Sequence, residues 1–266
     1  MLKKWKIRWV ENQIWVAICC TALAFFIQLN LNEININLLI IQFLATLSMY
    51  RLAVHSQQIN FKIFSFHILL PGLLPGLLAA IIGFVYLKTE TLLLLAFLAV
   101  LSLQYSFPLL GKNFRKIQRL KIFIIASIWA SSIVFLPILD SGELIGIQTL
   151  LLWVSIFLFV LAISIPFDWR DSDSDAAELK TLPQELGKEQ SLKLANRVLV
   201  LSVLFFILAQ ETIVNSFIFS FLLTVVLASF LFKKSSKFSK KYFVSFWVEI
   251  LSAMPLLIYG MLQLLN

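Results

Sequence analysis

Residues 143–175 read ELIGIQTLLLWVSIFLFVLAISIPFDWRDSDSD. Between Glu143 and Asp168 no side chain is charged. About 20 apolar residues cross a bilayer as a helix, so the stretch predicts a transmembrane helix over 143–166 that runs straight into an acidic cluster. Lipid leaves only helices or closed barrels as ways to satisfy the backbone, and a run this long without alternation is not a barrel strand.

Outward from that helix, apolar runs broken by charge, Gly, Pro or Asn clusters predict further spans near 14–30, 34–54, 63–87, 91–109, 119–139, 194–210, 213–232 and 244–265. The expected fold is an all-α membrane protein, with nine transmembrane helices in a single polytopic domain over residues 1–266. Composition agrees: 60% of the residues are hydrophobic and 14% charged, against roughly 45–50% and about 25% in a soluble domain. Cys19 and Cys20 are neighbours inside the first run, a spacing that suits neither a disulfide nor a metal site, and they read as packing residues. The basic residues ahead of that run precede no small-residue cleavage site, so the run reads as a span and not as a signal peptide.

Lys and Arg collect in cytoplasmic loops. With nine spans and a cytoplasmic amino terminus, 21 of the 22 basic residues fall on the cytoplasmic side and only Lys88 falls outside. An even number of spans breaks that alternation. The carboxyl terminus is then outside, and the chain is expected to be integral to a bacterial cytoplasmic membrane. Orientation and attraction to anionic lipid account for the net charge of +8, with no nucleic-acid partner. Two cytoplasmic loops exceed what packed helices need and are expected to carry function: the basic 110–121 and the acidic 167–193.

If helix continues past the membrane surface, Asp168, Asp171 and Asp175 stand at i, i+3 and i+7 on one face, with Asp173 pointing elsewhere. Carboxylates so placed repel one another and attract a cation. Magnesium suits them, because it takes oxygen ligands and is typically held by one or two carboxylates together with a substrate's phosphates. The cluster reads either as such a site, bridging to a phosphorylated lipid, or as a solvated acidic loop.

These residues resemble the UbiA superfamily of intramembrane prenyltransferases. Asp168-Trp169-Arg170-Asp171, then Asp175, followed by Thr181-Leu182-Pro183 and Leu186-Gly187, is similar to that family's second aspartate-rich motif and its trailing TLP…LG segment. Tyr105-Ser106-Phe107-Pro108-Leu109, followed by the basic loop, Lys121 and Trp129, is similar to a second landmark. The resemblance implies a bundle around a central cavity, open to lipid and capped on the cytoplasmic side, where aspartate-held metal ions bind an isoprenyl diphosphate. Loss of diphosphate leaves an allylic cation that an electron-rich acceptor attacks. The resemblance further implies Asp168, Asp171 and Asp175 as catalytic metal ligands for Mg2+. Arg119 and Lys121 would neutralise diphosphate, with Lys112, Arg115 and Lys116 behind them, and Tyr105 would shape the cavity mouth. The implied substrates are an isoprenyl diphosphate and a lipophilic, aromatic acceptor.

The family's first motif, NDxxD, belongs at the cytoplasmic end of the second span. There residues 46–56 read TLSMYRLAVHS, and no Asp or Glu occurs between Glu33 and Glu90. Three readings follow. Arg51 and His55, four apart on one face, contact diphosphate in place of an aspartate-held metal, Arg through its planar fork and His when protonated. Alternatively, catalysis is lost and the fold persists as a protein that binds isoprenoid lipid or a partner protein. Or Arg51 marks the membrane interface. A secondary transporter also suits the composition but leaves the TLP…LG segment without a role.

Smaller signals lie inside the spans. Pro71-Gly72 and Pro75-Gly76 in the third invite either a bend or close helix packing. His67 in the same span reads as a satisfied polar residue. Glu249 in the ninth is an intramembrane carboxylate near the cytoplasmic start, a candidate site by its cost alone.

Overall fold

The computed structural model of the chain describes residues 8–56, 66–107, 117, 120–173, 179–212, 215–234 and 241–265. Among these every element is a helix. In chain order they are α1 (Ile14–Leu31), α2 (Ile36–Ser56), α3 (Phe66–Tyr86), α4 (Thr89–Ser106), α5 (Leu120–Ser141), α6 (Ile147–Asp171), the short α7 (Leu182–Leu186), α8 (Lys188–Leu208) and α9 (Ser216–Lys234). Last comes α10 (Val244–Ser252), which turns by 54° into α11 (Met254–Leu265). Among the described residues eight helices are long and apolar enough to cross a membrane, or nine spans when the bent pair counts as one. Nine is the number that the alternation of basic loops predicts.

Three expectations need correcting. The ninth span is not one helix: Val244–Val248 is a π-turn and Glu249–Ser252 a 3-10 turn, and Pro255 brings no N–H to the carbonyl of Leu251. The span expected from 194 starts at Lys188, because Gly187, at φ 81°, redirects the chain and a helix can form its first turns outside lipid. Within the segment 167–193, expected as a loop, the described residues are largely helical, since α6 runs on to Asp171, α7 follows and α8 starts at Lys188. Hydropathy reports where lipid is, not where a helix ends.

Two irregular places show how backbone groups without an intrahelical donor are satisfied inside the bundle. Pro75 has no N–H to offer the carbonyl of Pro71, four residues earlier, and Arg51 Nη1 donates to that carbonyl at 3.0 Å. One residue on, Ser48 Oγ donates to the Gly72 carbonyl at 2.7 Å. In α5 the π-turn Ser131–Phe135 directs the Ser132 carbonyl toward Pro137, which again lacks a donor, and Gln42 Nε2 fills the place at 2.6 Å.

The Pro-Gly pairs of α3 therefore serve close packing. A Cβ on Gly76 would stand 2.6 Å from Ser48 Oγ, and one on Gly72 would stand 2.9 Å from Leu52. Neither contact leaves room for a methyl group. Gly76→Ala is expected to cost about 1–3 kcal/mol through overpacking, read as a lower unfolding midpoint in detergent.

Phe26, Phe159, Phe206 and Phe221 are fully buried, with Phe206 stacked on Phe221 at 4.4 Å. The outer faces of α3 and α4 instead expose Leu73, Leu77, Phe84, Leu93 and Phe97. An apolar surface of this extent requires lipid around it.

Contacts define two ends of the bundle. At one, Arg51 meets Asn12, Lys121 meets Asp168, Arg170 meets Ser245 and Tyr242 meets Glu11. At the other, the Lys88 N–H and Asn35 both donate to Asp140, and Asn30 donates to Gln210. Of the described basic residues only Lys88 lies at the second end.

Candidate active site

Asp168 belongs to the penultimate turn of α6 and is 3% exposed. Its Oδ1 lies 2.8 Å from Lys121 Nζ, at the start of α5. Burying a carboxylate this deeply is tolerable only with a cation beside it. The pair lines a cavity of about 10 Å³ with Ile117, Ile122, Leu179, Thr181 and Leu182, room for about one water molecule.

The TLP segment is the strap over this place. Thr181 caps α7: its N–H donates to Gln184 Oε1 at 2.9 Å, and Gln184 Nε2 donates to the Ser172 carbonyl at 3.2 Å. The Thr-Leu-Pro-Gln sequence thus forms a capping box that ties α7 to the end of α6 and lays Thr181 and Leu182 against Asp168.

Asp171, one turn on, is held differently. Arg170 donates from Nε to Oδ1 and from Nη2 to Oδ2, both at 2.6 Å. Its Nη1 donates to Ser245 Oγ at 2.7 Å, and its guanidinium lies 5.4 Å from the centre of the Phe167 ring. Asp173, expected to point away from the shared face, is exposed and pairs with Lys188 at 2.7 Å. Lys188 also lies over Trp169 at 4.8 Å.

The structure thus brings Lys121 and Asp168 into contact and sets Asp171 beside them. Asp175, Arg119, Lys112, Arg115 and Lys116 lie outside the described residues, as does the side chain of His55. Arg51 is engaged elsewhere: besides Pro71, its Nε donates to the Asn12 carbonyl at 3.2 Å, so two of its five donors tie α2 to α3 and to the segment just before α1. Tyr105 is half-buried in the last turn of α4, within electrostatic reach of Tyr50, whose ring meets Trp129 edge-on at 6.4 Å.

Arg170 as the partner of Asp171 was not legible beforehand. Adjacent residues on a helix do not face each other, and the fork forms only because α6 ends there. Ser245 carries no sequence signal at all.

For magnesium the donor chemistry is suitable: two carboxylates three residues apart on the last turns of one helix, hard oxygen ligands of the kind the ion takes. Both are engaged by protein cations, and among the described residues no cluster of three or more Asp, Glu, His or Cys forms a metal cage. A metal ion here would share the carboxylates with Lys121 and Arg170 or displace them.

No sequence-family model matches the chain, and no curated protein sequence matches it. Solved structures are. A UbiA homologue from Archaeoglobus fulgidus, bound to DMAPP and Mg2+, superposes with a TM-score of 0.68 at 13% identity, covering 98% of this chain and 99% of that one. The apo UbiA homologue from Aeropyrum pernix K1 superposes with a TM-score of 0.61 at 12% identity, over 96% and 98%. A digeranylgeranylglyceryl phosphate synthase gives a TM-score of 0.59 at 19% identity, over 98% of each chain.

Proposed function

The chain carries the UbiA fold over almost its whole length, and from that premise we propose that it is an intramembrane prenyltransferase, moving a prenyl group from an isoprenyl diphosphate to a lipophilic, aromatic acceptor. The observation that carries this reading is the buried Asp168–Lys121 pair under the TLP strap, at the end of the bundle where the basic residues gather. A carboxylate and an ammonium held this far from water mark a site for charge that a lipid-bound molecule brings with it.

Lys121 and Arg170 are the cations placed to meet diphosphate oxygens, Arg170 through its planar fork. Lys121 is held at the site by Asp168, and Arg170 by Asp171 and Ser245, so both cations stand where a leaving group would develop charge and can turn to it from their carboxylates. Asp168 and Asp171, with Asp175, would hold magnesium, which when bound neutralises the leaving diphosphate. Arg51 and His55 would contact diphosphate where relatives hold a first metal, Arg119 would help neutralise it, and Tyr105 would shape the cavity mouth. The basic end faces the cytoplasm by the positive-inside rule, and the membrane is the bacterial cytoplasmic one.

A second reading has its own observation. The first aspartate-rich motif is absent, and the two described aspartates of the second, Asp168 and Asp171, are paired with cations of the chain itself. A protein that binds isoprenoid diphosphate without cleaving it is consistent with both. Purified protein incubated with geranylgeranyl diphosphate, magnesium and a phenolic acceptor separates the two. The enzyme releases pyrophosphate and forms a prenylated product; the binder retains the diphosphate intact. Failure to bind the diphosphate at all rules out both.

A further inference from the structure

Building on the prenyl-transfer reading, we propose that Glu249 is the base that takes the proton from an acceptor's O–H group as the prenyl group is transferred.

Among the described residues Glu249 is the one carboxylate inside a span and away from its ends. Carboxylates at such depth are costly and face the bundle interior or a polar cavity. This one is half-buried, and its oxygens make no hydrogen bond or ion pair to a described residue. Packing alone gives no reason for a bare carboxylate here; leucine would fill the same place at less cost.

The backbone is shaped around it. Glu249 opens the 3-10 turn that follows the π-turn Val244–Val248. Irregular turns of this kind inside helices recur at functional sites. Two side chains hold the π-turn from either side. Trp15 donates to the Phe246 carbonyl at 3.2 Å and stacks on the Phe246 ring at 4.4 Å, and Arg170 donates to Ser245 Oγ at 2.7 Å. Because α10 runs inward from the basic end, Glu249 lies one turn deeper than Ser245. It therefore stands beneath the guanidinium assigned to the diphosphate, toward the bundle interior.

The titratable groups that face Glu249 come from three helices. They are Cys19 and Cys20 of α1, Tyr50 of α2 and Arg170 of α6. Arg170 is engaged with Asp171, the two thiols are buried, and Tyr50 lies against Trp129. None of these is a ready proton acceptor, whereas a carboxylate is.

The step balances as follows. The C1–O bond of the prenyl diphosphate breaks, and its electron pair leaves with the diphosphate. The acceptor, a phenol or a lipid alcohol, supplies the pair for the new bond to C1, and the proton of its hydroxyl passes to a Glu249 carboxylate oxygen. The carboxyl returns that proton to water once the product leaves.

The test compares the wild-type chain with Glu249→Gln and Glu249→Asp in lipid nanodiscs. Geranylgeranyl diphosphate and magnesium are the donor probe, and a 4-alkylphenol and a 1-alkylglycerol the acceptor probes. Diphosphate affinity and product formation are read separately; if water is the only acceptor used, the product is the prenyl alcohol. Glu249→Gln is expected to keep wild-type diphosphate affinity and to lower product formation on the order of 100-fold, with partial recovery in Glu249→Asp. Product formation at the wild-type rate by Glu249→Gln overturns the inference and leaves the prenyl-transfer reading standing. Loss of diphosphate affinity in both variants assigns Glu249 to structure and also overturns it. If wild-type protein binds the diphosphate but forms no product with any acceptor, the prenyl-transfer reading falls and the inference with it.

Discussion

Lys121→Met is expected to lower the stability of the folded chain by about 3–5 kcal/mol, the cost of leaving a buried carboxylate without its cation. The Asp168 side chain is 4% exposed and that of Lys121 14%, so water cannot replace the ammonium in the way it does for a surface pair. Lys121→Met/Asp168→Leu is expected to recover most of the loss, because replacing both members of a buried ion pair with apolar groups is often neutral. Denaturant unfolding in detergent of the two single variants and the double gives the coupling directly. Stability unchanged in Lys121→Met means that the pair does not organise the site.

Asp168→Asn separates chemistry from stability. Here the substitution keeps the size of the side chain and leaves an amide oxygen that can still accept from Lys121, so the loss of stability is expected to be smaller than in Lys121→Met. Pyrophosphate release from geranylgeranyl diphosphate is expected to fall roughly 100- to 1000-fold, the range seen when a positioned electrostatic group is removed from an active site. Turnover within a few-fold of wild type moves the chemistry away from α6. Measured together, the two variants distinguish a residue that holds the fold from one that acts on the substrate.

The ends of the spans were read well where a turn has its own chemistry. The first predicted span closes near residue 30, and α1 ends at Leu31, followed by Asn32, whose positive φ lets its N–H and that of Glu33 cap carbonyls of the last turn. Gly142 closes α5 in the same way. The basic and non-basic ends were also legible, because charge at a membrane surface is set by the sequence itself. The continuation of α6 past the membrane surface to Asp171 was also foreseen; the burial of Asp168 was not.

What could not be read was decided by pairing across the bundle. The expectation of three aspartates sharing a face says nothing of which cations approach them, and Lys121 and Arg170 arrive from packing that no local period encodes. Arg51 illustrates the limit most sharply. Its position suggested a phosphate ligand, yet two of its donors meet carbonyls at Asn12 and Pro71, the second without an intrahelical donor because of a proline on another helix. The broken ninth span escaped for a related reason: a 54° bend barely changes a hydropathy window, although it places Glu249 at the irregular turn.

Neutralised aspartates also bear on metal use. Magnesium held by Asp168 and Asp171 would compete with the Lys121 ammonium for the first and with the Arg170 guanidinium for the second, and its occupancy would depend on a diphosphate that receives the two cations. Metal and diphosphate are therefore expected to bind cooperatively, each weakly alone.

The structure of the protein with magnesium and a non-cleavable geranyl thiolodiphosphate tests the assignment most directly. The expected result is a diphosphate at the end of α6, within hydrogen-bonding distance of Lys121 and Arg170, with the Lys121–Asp168 contact opened. A diphosphate bound anywhere else, with that contact intact, contradicts it.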